Sequence, residues 1–393
     1  MTDKIINFDH TSATQPLPEV VEAMQSYFSE IFGNPQSMHG IGQQARRAID
    51  NARQQVADLV QVASEEIFFT ASGSEANNFA MKGVAFANRK KGDHIIISQI
   101  EHFSVLQTAK ALEKMGYSVS SIPVDKFGRV DPDDVKKAIT DKTILVSIMH
   151  ASNEIGTIQP IKEIGAITRE RGVLFHTDAV QTVGVIPVDV QQLNVDLLSF
   201  AAPTFYGPKG GAGLYIKKGV RINPLIDGGI QEGGRRAGTE NVPAIVGMGM
   251  AAEVAKNELE PRLKHVQSLR DQLINGIESA IEEVYFHGHP QLRLPNNASF
   301  GFRYIEGESV LLFLGMNNII ASSGSACTSK ALKASHVLLA IGISHEIANG
   351  TILFSLGIDN TKDDVELLLE KLPPVVQRLR EMSPLYEEKM RKG

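Results

Sequence analysis

The first half of the chain alternates short apolar runs with longer amphipathic stretches. His94–Ser98 (HIIIS), Ile144–His150 (ILVSIMH), Val173–Thr177 (VLFHT), Asp196–Phe200 (DLLSF) and Gly213–Ile216 (GLYI) predict short strands buried on both faces. Gly42–Leu59, Glu75–Asn88, Val105–Met115, Pro132–Ile139 and Ile161–Arg171 read as the helices between them. That order predicts an α/β fold: a mainly parallel sheet sandwiched by helices. Ligands of such sheets bind beyond the carboxyl ends of the strands.

The last third has a different pattern. Glu260–Glu282 reads as a long charged helix, Val284–Phe286 and Asn297–Phe302 as strands, and Glu308–Leu314 as a short helix. Thr351–Ser355 is a further strand and Lys362–Glu381 a closing helix. This predicts a smaller α+β domain with a boundary near 255–262. Residues 15–258 form the large domain; 1–14 and 259–393 form the small one.

Composition narrows the picture. A chain of 393 residues with 42% hydrophobic and 21% charged residues has material for a packed core, which argues against disorder. A net charge of −6 with interspersed signs argues against nucleic acid as a partner. The apolar run Val242–Ala255 contains Gly247 and Gly249 and is shorter than the roughly 18 residues of a membrane span. The N-terminus lacks the apolar region of a signal peptide. Cys327 is the single cysteine, so no intramolecular disulfide forms. Both points lead to a reducing, cytoplasmic setting.

Candidate chemistry gathers at strand ends. Phe69–Asn78 (FTASGSEANN) reads as strand, small-residue turn and helix start near Ser74–Glu75. Its free N–H groups and helix dipole suit a phosphate, with Ser74 adding a hydroxyl. On its own the stretch reads more often as a plain N-cap made by Ser74. Asp178 ends a buried strand, where a carboxylate can pair with a protonated ring nitrogen or simply cap a helix. Asn153 follows another strand as an amide donor, and His102 follows a third. Their convergence on one sheet edge favours a functional site. Cys327 lies in Ser322–Ser329 (SSGSACTS), which reads as a loop with an accessible thiol.

These segments together resemble the cysteine desulfurases of the NifS/IscS type, pyridoxal-phosphate (PLP) enzymes of fold type I. The resemblance covers nearly the whole chain. It rests on FDHTSAT (Phe8–Thr14), FGNPQSMHGIG (Phe32–Gly42), EHFSV (Glu101–Val105), HASNEIGTIQP (His150–Pro160) and HTDAVQ (His176–Gln181). YGPKGGAGLY (Tyr206–Tyr215), GTENVP (Gly238–Pro243), the ASGSEANN turn and the Cys327 loop complete it. It implies conversion of L-cysteine to L-alanine, with sulfur passed through a Cys327 persulfide to an iron–sulfur cluster scaffold protein. It further implies that Gly73 and Ser74 bind the phosphate and that Thr239 reaches it across a homodimer interface. Asp178 would hold the ring nitrogen protonated, Asn153 and Gln181 would address the ring oxygen and substrate side, and His102 would stack on the ring and move protons. Asn34 would lie beside the substrate.

The chain departs from that pattern around one ligand. Where the family has its Schiff-base lysine, which also shuttles the substrate Cα proton, this chain has Thr204. Pro203 and Ala201 replace a histidine and a serine that contact phosphate, and Leu353 replaces an arginine for the substrate carboxylate. Some archaeal members resemble it in lacking the lysine, and LPNN (Leu294–Asn297) with YIEGESV (Tyr304–Val310) fits them. PLP would then be held non-covalently, with Lys209 a structural residue. The alternative is a catalytically degenerate homologue that docks a scaffold and lends Cys327 as a [2Fe–2S] ligand.

Overall fold

The computed structural model describes residues 4–323 and 334–392. Its strands are β1 (Ile6–Asn7), β2 (Ile67–Thr70), β3 (His94–Ser98), β4 (Ser118–Ile122), β5 (Thr143–Ser147) and β6 (Leu174–Asp178). They continue with β7 (Leu197–Ala201), β8 (Ala212–Ile216), β9 (Val284–Phe286), β10 (Asn297–Phe302), β11 (Ile319–Ile320) and β12 (Thr351–Ser355).

Seven strands form the central sheet in the order β2-β8-β7-β6-β5-β3-β4. Pairings from β7 to β4 are parallel, and β8 runs antiparallel to both neighbours. The predicted strands are there, and each is buried throughout or nearly so because helices cover both faces. Side chains alternate between those faces. Ile96, Val146 and Leu198 join the core made with the helix Gly40–Val60. Ile95, Ile97, Leu145 and Leu197 join the core made with the helices Gly73–Asn88 and Phe103–Lys114. The sequence reading passed over β4, whose SVSSI is half exposed at the sheet edge and carries no apolar run.

A second core gathers around the three-stranded antiparallel sheet β12-β10-β9. The N-terminus joins it, through β1 paired in parallel with β11. One element serves both cores. The helix Val242–Ala280 runs unbroken for 39 residues, about 58 Å, where the sequence reading placed an apolar run, a boundary and a second helix. Its first half packs Ile245, Met248 and Ala252 against the large core; its second half packs Leu269, Leu273 and Ile277 against the small one. Pro261 sits inside it, costing one backbone donor without breaking the path. No helix among the described residues is long and apolar enough to cross a membrane.

Candidate active site

The carboxyl ends of β3, β5, β6 and β7 open into a cavity of about 620 Å³. Gly73, Ser74, His102, Asn153, Asp178 and Gln181 all line it, so most of the sequence-predicted site is one place. Ala201, Pro203, Thr204 and Leu353 line it too, so the departures from the family pattern share that wall. Asn34 and Thr239 do not line it and are exposed. Cys327 lies outside the described residues. The described segments on either side of it reach the cavity through Ser322 and His336.

Asp178 ends β6 and is buried. Its Oδ2 accepts from Asn77 Nδ2 at 2.6 Å and its Oδ1 from the Val180 N–H at 3.1 Å. Burial pushes its carboxyl above the ordinary range, against the pull of the His102 charge and these two donors. Both donors are neutral, so a cationic N–H in the cavity would supply the missing counter-charge.

His102 is the N-cap of the helix Phe103–Lys114. Its Nδ1 accepts from the Ser104 N–H at 3.1 Å and lies 2.7 Å from Ser104 Oγ. That oxygen itself accepts from Asn77 Nδ2 at 2.8 Å, so the hydroxyl donates onward to His102. The Nδ1 lone pair is thereby used, and the neutral ring carries its proton on Nε2.

The turn after β2 differs from expectation by two residues. Ser72, not Ser74, caps the helix Gly73–Asn88 by accepting from the Glu75 N–H at 3.1 Å. Gly73 and Ser74 are then its first two residues, whose N–H groups have no helix carbonyl to bond. A Cβ on Gly73 would meet Val180 Cγ2 at 2.7 Å, so the close approach of this turn to the one that follows Asp178 favours glycine. Asn153 is positioned from below: Asn297 Nδ2 donates to its carbonyl at 3.1 Å, and Arg293 holds Asn297 Oδ1 at 3.0 Å. Gln181 Nε2 donates to Thr11 O at 3.3 Å.

Thr204 offers the cavity no amine and no free hydroxyl. Its single O–H is shared between Val180 O at 2.6 Å and Ala201 O at 2.8 Å, both of which only accept. Leu353, buried on β12, is bonded through its backbone to Ser322 in both directions, at 2.7 and 3.1 Å.

Further wall residues were not singled out from sequence. Glu101 is fully buried; its Oε1 accepts from Ser98 Oγ at 2.5 Å and the Met149 N–H at 3.0 Å, while Oε2 has no partner among the described residues. Burial raises its carboxyl to about 8, so at neutral pH it is an acid with its proton on Oε2. Glu154, raised to about 7 by burial, accepts from the Ser335 hydroxyl. His336 Nε2 lies 3.0 Å from Glu101 O, and its ring packs on Phe103 with centroids 4.9 Å apart. Glu101 stood inside the EHFSV motif; His336 opens an ordinary short helix and gave no signal. No group of three His, Cys, Asp or Glu able to hold a metal ion occurs among the described residues.

Residues 6–368 match the model of the family described as aminotransferase class-V. The chain is 52% identical over 389 residues to a cysteine desulfurase IscS of Methanosarcina thermophila, covering 99% of this chain and 96% of that one. Among solved structures it is similar to a NifS-like protein, with 39% identity, a TM-score of 0.90, and coverage of 96% of this chain and 100% of that one. It is also similar to an apo cysteine desulfurase of Thermococcus onnurineus, with 27% identity, a TM-score of 0.85 and 95% of each chain covered.

Proposed function

We propose that this chain, which belongs to the aminotransferase class-V family and within it to the NifS/IscS-like cysteine desulfurases, converts L-cysteine to L-alanine for iron–sulfur cluster assembly. Its sulfur leaves as a Cys327 persulfide bound for a scaffold protein. The observation that carries this reading is the buried Asp178 carboxylate, which faces the cavity with only neutral hydrogen-bond donors.

The residues fit PLP held without a covalent link. Asp178, held by two neutral donors, would pair with the protonated ring nitrogen of the bound cofactor. The first turn at Gly73 and Ser74 offers free N–H groups and the positive end of a helix dipole to a phosphate. When bound, the cofactor supplies an electron sink for the substrate. Asp178 keeps that sink protonated, and Asn77 keeps Asp178 aimed. His102 presents Nε2–H as a donor beside it. Asn153 and Gln181 orient the ring oxygen and substrate side. Glu101 stays neutral and adds no negative charge to the wall that would face the substrate carboxylate. Thr204 holds two backbone carbonyls and takes no proton.

The rest of the reading follows the family. The protein works as a homodimer, and the exposed Thr239 serves the partner's cavity. Asn34 lies beside the substrate once the dimer forms. Residues 15–258 act as the cofactor domain, and 1–14 with 259–393 as the domain that carries Cys327. The setting is cytoplasmic.

The test is anaerobic alanine release from L-cysteine with added PLP and reductant, wild type beside Cys327→Ala. Alanine from wild type alone is the expected result. No alanine from either would turn the reading to a degenerate homologue that docks a scaffold and lends Cys327 to a [2Fe–2S] cluster.

A further inference from the structure

The desulfurase reading leaves one task unassigned. A proton must leave Cα of the substrate, and the wall offers no lysine amine at 204. Thr204 shares its one hydroxyl proton between two carbonyls. His102 has its Nδ1 lone pair engaged by the Ser104 N–H and hydroxyl, which leaves Nε2–H as its free position. Asp178 is engaged by Asn77 and Val180, and the free oxygen of Glu101 carries a proton.

Lys209 also lines the cavity, as an exposed amine. His336 differs from all of these in being a neutral base held in place. Its Nε2 faces the Glu101 carbonyl at 3.0 Å, and a carbonyl only accepts, so Nε2 carries the proton. The lone pair of the neutral ring is therefore on Nδ1, which has no partner among the described residues. Two contacts hold the ring: Phe103 packs on it and Glu101 O holds Nε2. Its backbone is held by Ser335, which caps the helix His336–Ala340 and bonds the Glu154 carboxyl. The group lines the same cavity as Asp178 and His102.

We propose that His336 is a catalytic residue: the base that accepts the proton leaving Cα of the bound amino acid. The C–H bond breaks, its electron pair stays with the substrate, and the proton adds to Nδ1. The resulting imidazolium keeps its Nε2–H on the Glu101 carbonyl, which stabilises the new charge. His102 then serves as the donor of the pair. The surroundings keep the ring ready to accept. Burial lowers its pKa, and the charges of His102 and Lys110 act the same way, while Glu101 O opposes them. The Glu101 carboxyl behind it is protonated at neutral pH, and Glu154 is bonded to Ser335.

This assignment rests on the desulfurase reading, so its test has one arm that does not. In the first arm, His336→Gln keeps a donor for Glu101 O and loses the basic nitrogen. Its alanine release falls by about 100- to 10,000-fold, with PLP uptake unchanged. In His336→Ala, added imidazole restores release in proportion to its free-base fraction. A His336→Gln rate within about twofold of wild type, or the absence of imidazole rescue, overturns the proposal. In the second arm, long-range ¹H–¹⁵N spectra of the full chain read the ring directly. The expected result is an unprotonated Nδ1 at pH 7.5 whose resonance moves when L-cysteine is added. A protonated or unmoved Nδ1 overturns the proposal. If wild type releases no alanine, the desulfurase reading fails by itself, and this second arm alone decides whether His336 is the proton acceptor for a bound amino acid.

Discussion

Asn77 Nδ2 stands 2.6 Å from Asp178 Oδ2 and spends its other proton on Ser104 Oγ at 2.8 Å. One buried amide thus ties the carboxylate of the cavity to the hydroxyl that sets the tautomer of His102. Asn77→Ala removes a donor to a charged oxygen and frees Ser104 together. PLP affinity, followed by absorbance titration, is expected to fall by about 10- to 100-fold. Thermal stability should fall far less than it would for a core truncation.

Thr204→Lys tests the non-covalent arrangement. The variant gives up the one hydroxyl proton shared between Val180 O and Ala201 O, a cost of about 1 kcal/mol in all. It places an amine where the family has one. After borohydride treatment, mass spectrometry should find PLP attached to the variant at residue 204 and none on the wild type.

Glu101→Gln should stabilise the protein at alkaline pH. The folded-state carboxyl is raised to about 8 from an ordinary 4.5, so the folded protein holds a proton that the unfolded chain releases. That contribution is full below 4.5 and is lost as pH rises toward 8. Glutamine still accepts from Ser98 and Met149 and has no such proton. The variant's Tm should exceed wild type by a few degrees, on the order of 2–4 °C, at pH 8 and match it near pH 4.5.

Acid acts through the histidines in the opposite sense. Burial lowers His150 to about 4 and His176 to about 3 from an ordinary 6.5, so the unfolded chain binds protons that the folded protein refuses. Stability from these rings is lost as pH falls below 6.5. Between 4.5 and 6.5 Glu101 and Glu154 work against that loss. Below 4.5 this opposition ends, and the lowered carboxyls of Asp58, Glu283 and Asp364 act in the same sense as the histidines; unfolding free energies from urea titrations should drop by up to about 1.4 kcal/mol per pH unit for each ring still neutral. His176→Gln should flatten the slope.

The sequence made the large sheet legible because its strands are continuous apolar runs, and it placed Asp178, Asn153 and His102 because each ends such a run. Ser72 escaped notice as a cap because ASGS offers two serines, and only the backbone decides which begins the turn. His336 escaped because its importance lies in a carbonyl 235 positions away in the chain. Asn77 looked like an ordinary first-turn residue because nothing local shows that its side chain meets β6. The single helix through Pro261 was read as two segments because its apolar stripe changes partner midway.

That helix has a mechanical consequence. The two packing centres have no flexible linker along it, so a force or a strain that tilts one end levers the other. A chain cut near residue 258 would end in mid-helix, leaving Leu269, Leu273 and Ile277 on the other fragment without their scaffold. Heating should therefore melt both centres in one calorimetric transition, and neither half should be recovered folded after limited proteolysis.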